Sequence, residues 1–178
     1  YPAAVLEVIR VFRTLLEDYS PSEIIFMGDS AGGGLAATAI ARIAAEGLPA
    51  PGAVVLLSPW LNLTCNTTTY LSHREVEKVL TQEGLLEYGG YYVGDALDEA
   101  DPSRLPFSSF PPLLLLVGSD EILLDDSWLF FEQIKAVQSS VKLSVYGNQG
   151  HVWFLMDIGT TASKLGLAEI AAFISTFR

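Results

Sequence analysis

Ile24-Ile25-Phe26-Met27-Gly28-Asp29-Ser30-Ala31-Gly32-Gly33-Gly34 decides how this chain folds. A short apolar, β-rich run (24–27) ends in Gly-X-Ser-X-Gly, and a small-residue helical pattern runs on from about Ala31 to Glu46. A strand that passes straight into a helix must reverse sharply between them. Gly28 and Gly32 leave room for that reversal, and Gly33 and Gly34 allow the helix to pack close to its neighbours.

Three more apolar runs repeat the strand-then-helix order. Residues 53–58 are bracketed by Pro51 and Pro59; residues 113–118 follow Pro111-Pro112; residues 141–146 come last. The third run leads into a helix opening near Asp125-Asp126-Ser127, read as cap chemistry, and the fourth into a closing helix over about 161–177. Val5, Ile9, Phe12, Leu16 and Tyr19 recur at helical spacing, so the first eighteen or so residues form an amphipathic helix. Strands that are apolar throughout and alternate with helices predict an α/β fold, a mainly parallel sheet flanked by helices. The 178 residues are expected to form a single domain. Residues 60–110 break the rhythm. They carry no strong strand signal, only helical patterns at 75–80 and 83–92, and an insertion of that length is expected to be a cap or lid.

Composition narrows the functions open to the chain. Its net charge of −11 argues against a nucleic-acid partner, which needs a cationic stripe. Half the residues are hydrophobic and mean hydropathy is +0.36, but the longest apolar stretch, Leu113 to Val117, fits a buried strand and not a membrane span. One cysteine, Cys65, excludes an intramolecular disulfide and a cysteine-based zinc site. Asn62 and Asn66 begin Asn-X-Thr triplets, relevant only to a secreted protein. No motif encodes the oligomeric state.

In α/β sheets, sites form where loops leave the carboxyl ends of the strands. Ser30 stands at such an end, ahead of a helix whose first amides and positive dipole favour a developing oxyanion. A serine needs a base to take its proton. Of the two histidines, His151 follows the last strand and leaves by the same sheet edge, whereas His73 lies in the insertion among charged residues. The imidazole needs a carboxylate to fix its tautomer. Asp120 follows the third strand directly; Glu121 is adjacent, with its side chain expected to point the other way. The candidate set is Ser30 as nucleophile, His151 as base and Asp120 as acid, with no metal ligand.

These pieces together resemble the hormone-sensitive-lipase-like branch of the α/β-hydrolases. The resemblance rests on Tyr1-Pro2-Ala3-Ala4, Gly28-Asp29-Ser30-Ala31-Gly32-Gly33, Leu57-Ser58-Pro59-Trp60, Asp101-Pro102-Ser103, Gly118-Ser119-Asp120 and Gly150-His151. It implies an esterase acting on small-molecule esters through an acyl-enzyme on Ser30, with Asp120 and His151 completing the triad and no cofactor. It also makes the Ala31 backbone N–H an oxyanion donor and residues 60–110 a cap, whose Leu85, Leu86, Tyr88, Tyr91 and Tyr92 are candidates to line a pocket. Where many members have Pro-Leu after the acid, this chain has Glu121-Ile122-Leu123. The branch's second oxyanion element, a His-Gly-Gly-Gly loop, does not occur in these residues, so an N-terminally truncated catalytic domain of low activity is expected. An amide, formamide or carbamate hydrolase with the same triad, and a non-catalytic small-molecule receptor on this fold, remain open alternatives.

Overall fold

The computed structural model describes residues 1–177. Four strands form one sheet: β1 (Ile25–Asp29), β2 (Ala53–Leu57), β3 (Leu113–Gly118) and β4 (Val141–Tyr146). All three neighbouring pairs are parallel and the spatial order follows the chain order. Helices α1 (Ala3–Leu15), α2 (Ala31–Ala45), α3 (Thr69–Ser72), α4 (Gln82–Val93), α5 (Leu97–Ala100), α6 (Leu124–Lys135), α7 (Trp153–Met156) and α8 (Thr161–Ser175) complete the chain, with short 3-10 turns at Pro21–Glu23 and Pro102–Arg104.

The period-two alternation of strand side chains splits the core in two. Val54, Leu56, Leu113 and Leu115 face one side, where Val5, Ile9 and Phe12 of α1, Ala37 and Ile40 of α2, and Phe130 and Ile134 of α6 cover them. Val55, Leu57, Leu114 and Leu116 face the other, against Trp153 and Phe154 of α7 and Ile170 of α8. Burial on both faces explains why β2 and β3 read as unbroken apolar runs. Among the described residues β1 pairs with β2 alone, and its Met27 is half exposed.

A third cluster joins the insertion to the start of α6: Trp60, Leu63, Tyr70 and Leu85 pack on Ile122 and Leu123. The two ends of the insertion are stitched together by Asp101, whose carboxylate accepts the Leu63 and Ser103 N–H groups while Ser103 N–H also serves the Leu61 carbonyl. The Asn62 amide of the first Asn-X-Thr triplet is spent internally, accepting from Thr64 and donating to Asn66.

Two local expectations need correction. Residues 75–80 are not helical. The buried Glu77 carboxylate accepts the Val79 and Leu80 N–H groups itself, in place of the carbonyls of a helical ladder. Asp126 does not cap α6. It lies within the first turn, buried, and accepts from Leu61 N–H, Asn62 N–H and the Tyr70 hydroxyl.

Candidate active site

Ser30 is the hinge between β1 and α2. Its φ of 51° lies in the left-handed region that non-glycine residues seldom occupy, and such strain concentrates at functional positions. Surrounding bonds hold it there. Ser30 N–H donates to the Leu57 carbonyl, and the Ser30 carbonyl accepts from Gly33, Gly34 and Trp60 N–H groups. A Cβ on Gly28 would fall on the Gly32 carbonyl, and one on Gly33 would stand 2.6 Å from the Pro59 side chain. Gly32 itself faces open space, so the steric demand there falls on its backbone and not, as the sequence suggested, on a missing side chain. Asp29 is exposed.

His151 is buried at the end of the loop that follows β4. Its Nε2 lies 3.0 Å from Ser30 Oγ. Its Nδ1 lies 3.0 Å from Oε2 of Glu121, not from Asp120. Glu121 is fully buried, and its other oxygen, Oε1, accepts from Gly118 N–H at 2.6 Å and from the Ser58 hydroxyl at 2.6 Å. A carboxylate accepts hydrogen bonds, so Nδ1 carries the proton and Nε2 is left with a lone pair facing Ser30. The result is a continuous relay from Glu121 through His151 to Ser30.

Asp120 is therefore a correction. Its N–H pairs with the Gln149 carbonyl and its half-exposed side chain accepts from Ser119 Oγ. Ser119 and Asp120 prolong the β4 contact beyond Gly118, since Ser119 N–H bonds the Tyr146 carbonyl. That continuation sends Asp120 outward and the next side chain inward, and glutamate's extra methylene lets the carboxylate fold back to Gly118 and His151. His73 takes no part; it pairs with Ser72 beside it on the surface.

Ala31 opens α2, so its N–H has no intrahelical acceptor and lies directly after Ser30. Beside it is an apolar cavity of about 290 Å³ lined by Ala31, Gly34, Thr38, Trp60, Tyr88 and Tyr92. Of the insertion residues expected at a pocket, Tyr88 and Tyr92 reach it. Leu85 is buried in the packing against Trp60 and Ile122, whereas Leu86 and Tyr91 are exposed. Among the described residues, no cluster of His, Cys, Asp or Glu is arranged to hold a metal ion, and no helix is long and apolar enough to cross a membrane.

A family profile described as alpha/beta hydrolase fold matches residues 1–155. The chain is 31% identical to an acetyl-hydrolase of Streptomyces hygroscopicus, over 99% of this chain and 60% of that protein. It is 30% identical to an esterase of Acinetobacter venetianus, with the same coverage of 99% and 60%. Among solved structures, a hormone-sensitive lipase from a metagenome library superposes with a TM-score of 0.94 at 32% identity, covering 100% of this chain and 62% of the other. An esterase from the bacterial hormone-sensitive lipase family superposes at 0.92 with 30% identity, covering 98% and 60%. The chain thus spans about three fifths of the length of these relatives.

Proposed function

The chain belongs to the alpha/beta hydrolase family, in its hormone-sensitive-lipase-like branch, and from that premise we propose that it carries the acyl-transfer site of a carboxylic ester hydrolase. Ser30 Oγ attacks the ester carbonyl as His151 Nε2 removes its proton. Glu121 holds Nδ1–H and stabilises the imidazolium that forms. The Ala31 N–H and the positive end of α2 meet the oxyanion of the tetrahedral intermediate. Collapse expels the alcohol, which takes the proton from His151 and leaves the acyl group on Ser30. Water, deprotonated by His151, then attacks that acyl-enzyme, and as the acid leaves His151 returns the proton to Ser30 Oγ. The apolar cavity beside Ala31 suits an acyl or alcohol group of small size.

One observation carries this reading: Ser30 Oγ and Glu121 Oε2 each lie 3.0 Å from opposite nitrogens of one buried imidazole. Ala31 supplies a single oxyanion amide, and absence of one donor typically costs about 10²–10³ in turnover. The 178-residue chain alone is accordingly a slow catalyst, and a site that also carries a His-Gly-Gly-Gly loop is a fast one.

The test is reaction with a fluorophosphonate, alongside hydrolysis of a short p-nitrophenyl ester and its matched amide. Labelling that Ser30→Ala abolishes, with the ester turned over faster than the amide, is expected. No Ser30-dependent labelling would overturn the reading in favour of a binding role.

A further inference from the structure

Ser58 ends the β2 edge next to the relay, has no exposed surface and adopts a φ of 44°, a second non-glycine residue in the left-handed region. Its N–H is fixed to the Leu116 carbonyl. Its Oγ accepts the N–H of Val152 at 3.1 Å and lies 2.6 Å from Glu121 Oε1. The Val152 N–H only donates, so the Ser58 hydroxyl proton is directed to Glu121. Val152 follows His151 directly and is itself left-handed, with φ 46°. Two strained backbone positions, one on the β2 edge and one on the histidine loop, thus meet at a single oxygen. With Gly118 N–H and Ser58 O–H both on Oε1, the other oxygen of Glu121 is left for His151.

We propose that Ser58 is a positioning residue for this reaction, whose hydroxyl clips the Glu121 carboxylate to the backbone that carries His151. The proposal rests on the reading of Glu121 as the acid. A residue that merely filled space here would be replaced by alanine without consequence for the imidazole. A residue at ease with positive φ would not be serine.

Two variants and two measurements test it. Ser58→Gly removes the hydroxyl and relieves the backbone; Ser58→Ala removes the hydroxyl and keeps the Cβ. Both are expected to slow Ser30 acylation at saturating fluorophosphonate by roughly tenfold to a hundredfold, the worth of a hydrogen bond to a charged group, with the half-saturating probe concentration unchanged. In ¹⁵N-histidine spectra, His151 is expected to be a single Nδ1–H tautomer in the unsubstituted chain and a mixture in both variants, with His73 as internal control. A lowered Tm with unchanged saturating rate and unchanged tautomer would make Ser58 structural and overturn the proposal. If the unsubstituted chain shows no Ser30-dependent labelling, the proposed function fails separately. The tautomer comparison then decides the clip alone: a shifted tautomer upholds it, and an unchanged one overturns it.

Discussion

Two of the strand-to-helix junctions beside the site, β1 to α2 and β3 to α6, are built on contrasting principles. Between β1 and α2 the turn is held mainly by its own neighbours: Ser30 C=O takes the amides of Gly33 and Gly34, Gly28 lies under the Gly32 carbonyl, and only the adjoining end of β2, through Leu57 C=O and Trp60 N–H, adds to them. Between β3 and α6 the turn is held from outside. Ser58 and His151 fix Glu121; Glu77 accepts Ile122 N–H, and Thr69 donates to the Ile122 carbonyl. The first junction needs its own residues and the adjoining end of β2. The second exists only after the insertion and the histidine loop have docked. A nucleophile can be presented by local geometry, whereas an acid aligned to a distant histidine needs the tertiary structure.

Substitutions at the two junctions should therefore fail differently. Gly28→Ala forces a methyl into the Gly32 backbone, and a loss of about 3 kcal/mol of stability is expected in urea unfolding, with Ser30 reactivity falling in the same variant. Stability at wild-type level would show that the elbow is looser than its contacts imply. Glu77→Ala strips the acceptor from three backbone N–H groups, one of them beside Glu121. A loss of about 2 kcal/mol is expected, with Ser30 acylation slowed in the folded protein, because the insertion no longer braces the acid loop. An unaltered acylation rate would confine Glu77 to holding the insertion.

The smallest effect has a sign fixed by pH. Burial pushes the Asp126 carboxyl up from its ordinary 3.8 to about 7, against hydrogen bonds from Tyr70, Leu61, Asn62 and Thr67. Tyr70, packed on it, is raised as well, chiefly by burial. A carboxyl with a raised folded-state pKa contributes stability that is fully present below its unfolded value and is lost as pH rises through the folded one. Asp126→Asn cannot ionise, so its Tm relative to the parent should climb by a few degrees between pH 4 and 7. A difference in Tm that does not change with pH would show that Asp126 is ionised throughout.

How much of this was legible in the sequence follows the same division. All four strands, their parallel order, the Ser30 elbow and the choice of His151 over His73 came from local runs, glycine spacing and position after a strand. Each depends on neighbours a few residues away. Glu121 and Asp126 were misjudged because their partners lie far along the chain, whereas the helix expected at 75–80 fails locally, where Glu77 takes the Val79 and Leu80 amides. One signal for Glu121 was present. Where relatives in the resembling branch have Pro-Leu after the acid, this chain has Glu121-Ile122-Leu123, one residue more. Counting back from Leu123, and not forward from Gly118, sets Glu121 in the acid's place. Ser58 had no such signal, because its left-handed backbone and its role at Glu121 arise only when β2 and the histidine loop meet.

The central claim is that the relay runs through Glu121 and leaves Asp120 out. It is tested most directly by the rate of Ser30 acylation by a fluorophosphonate in Glu121→Gln and Asp120→Asn, measured side by side at saturating probe. Replacing the orienting carboxylate of a triad by its amide costs up to about 10⁴-fold. A loss of roughly that order is expected in Glu121→Gln, against less than about twofold in Asp120→Asn, whose side chain accepts from Ser119 and not from His151. The reverse pattern, with Asp120→Asn crippled and Glu121→Gln near normal, would contradict the account.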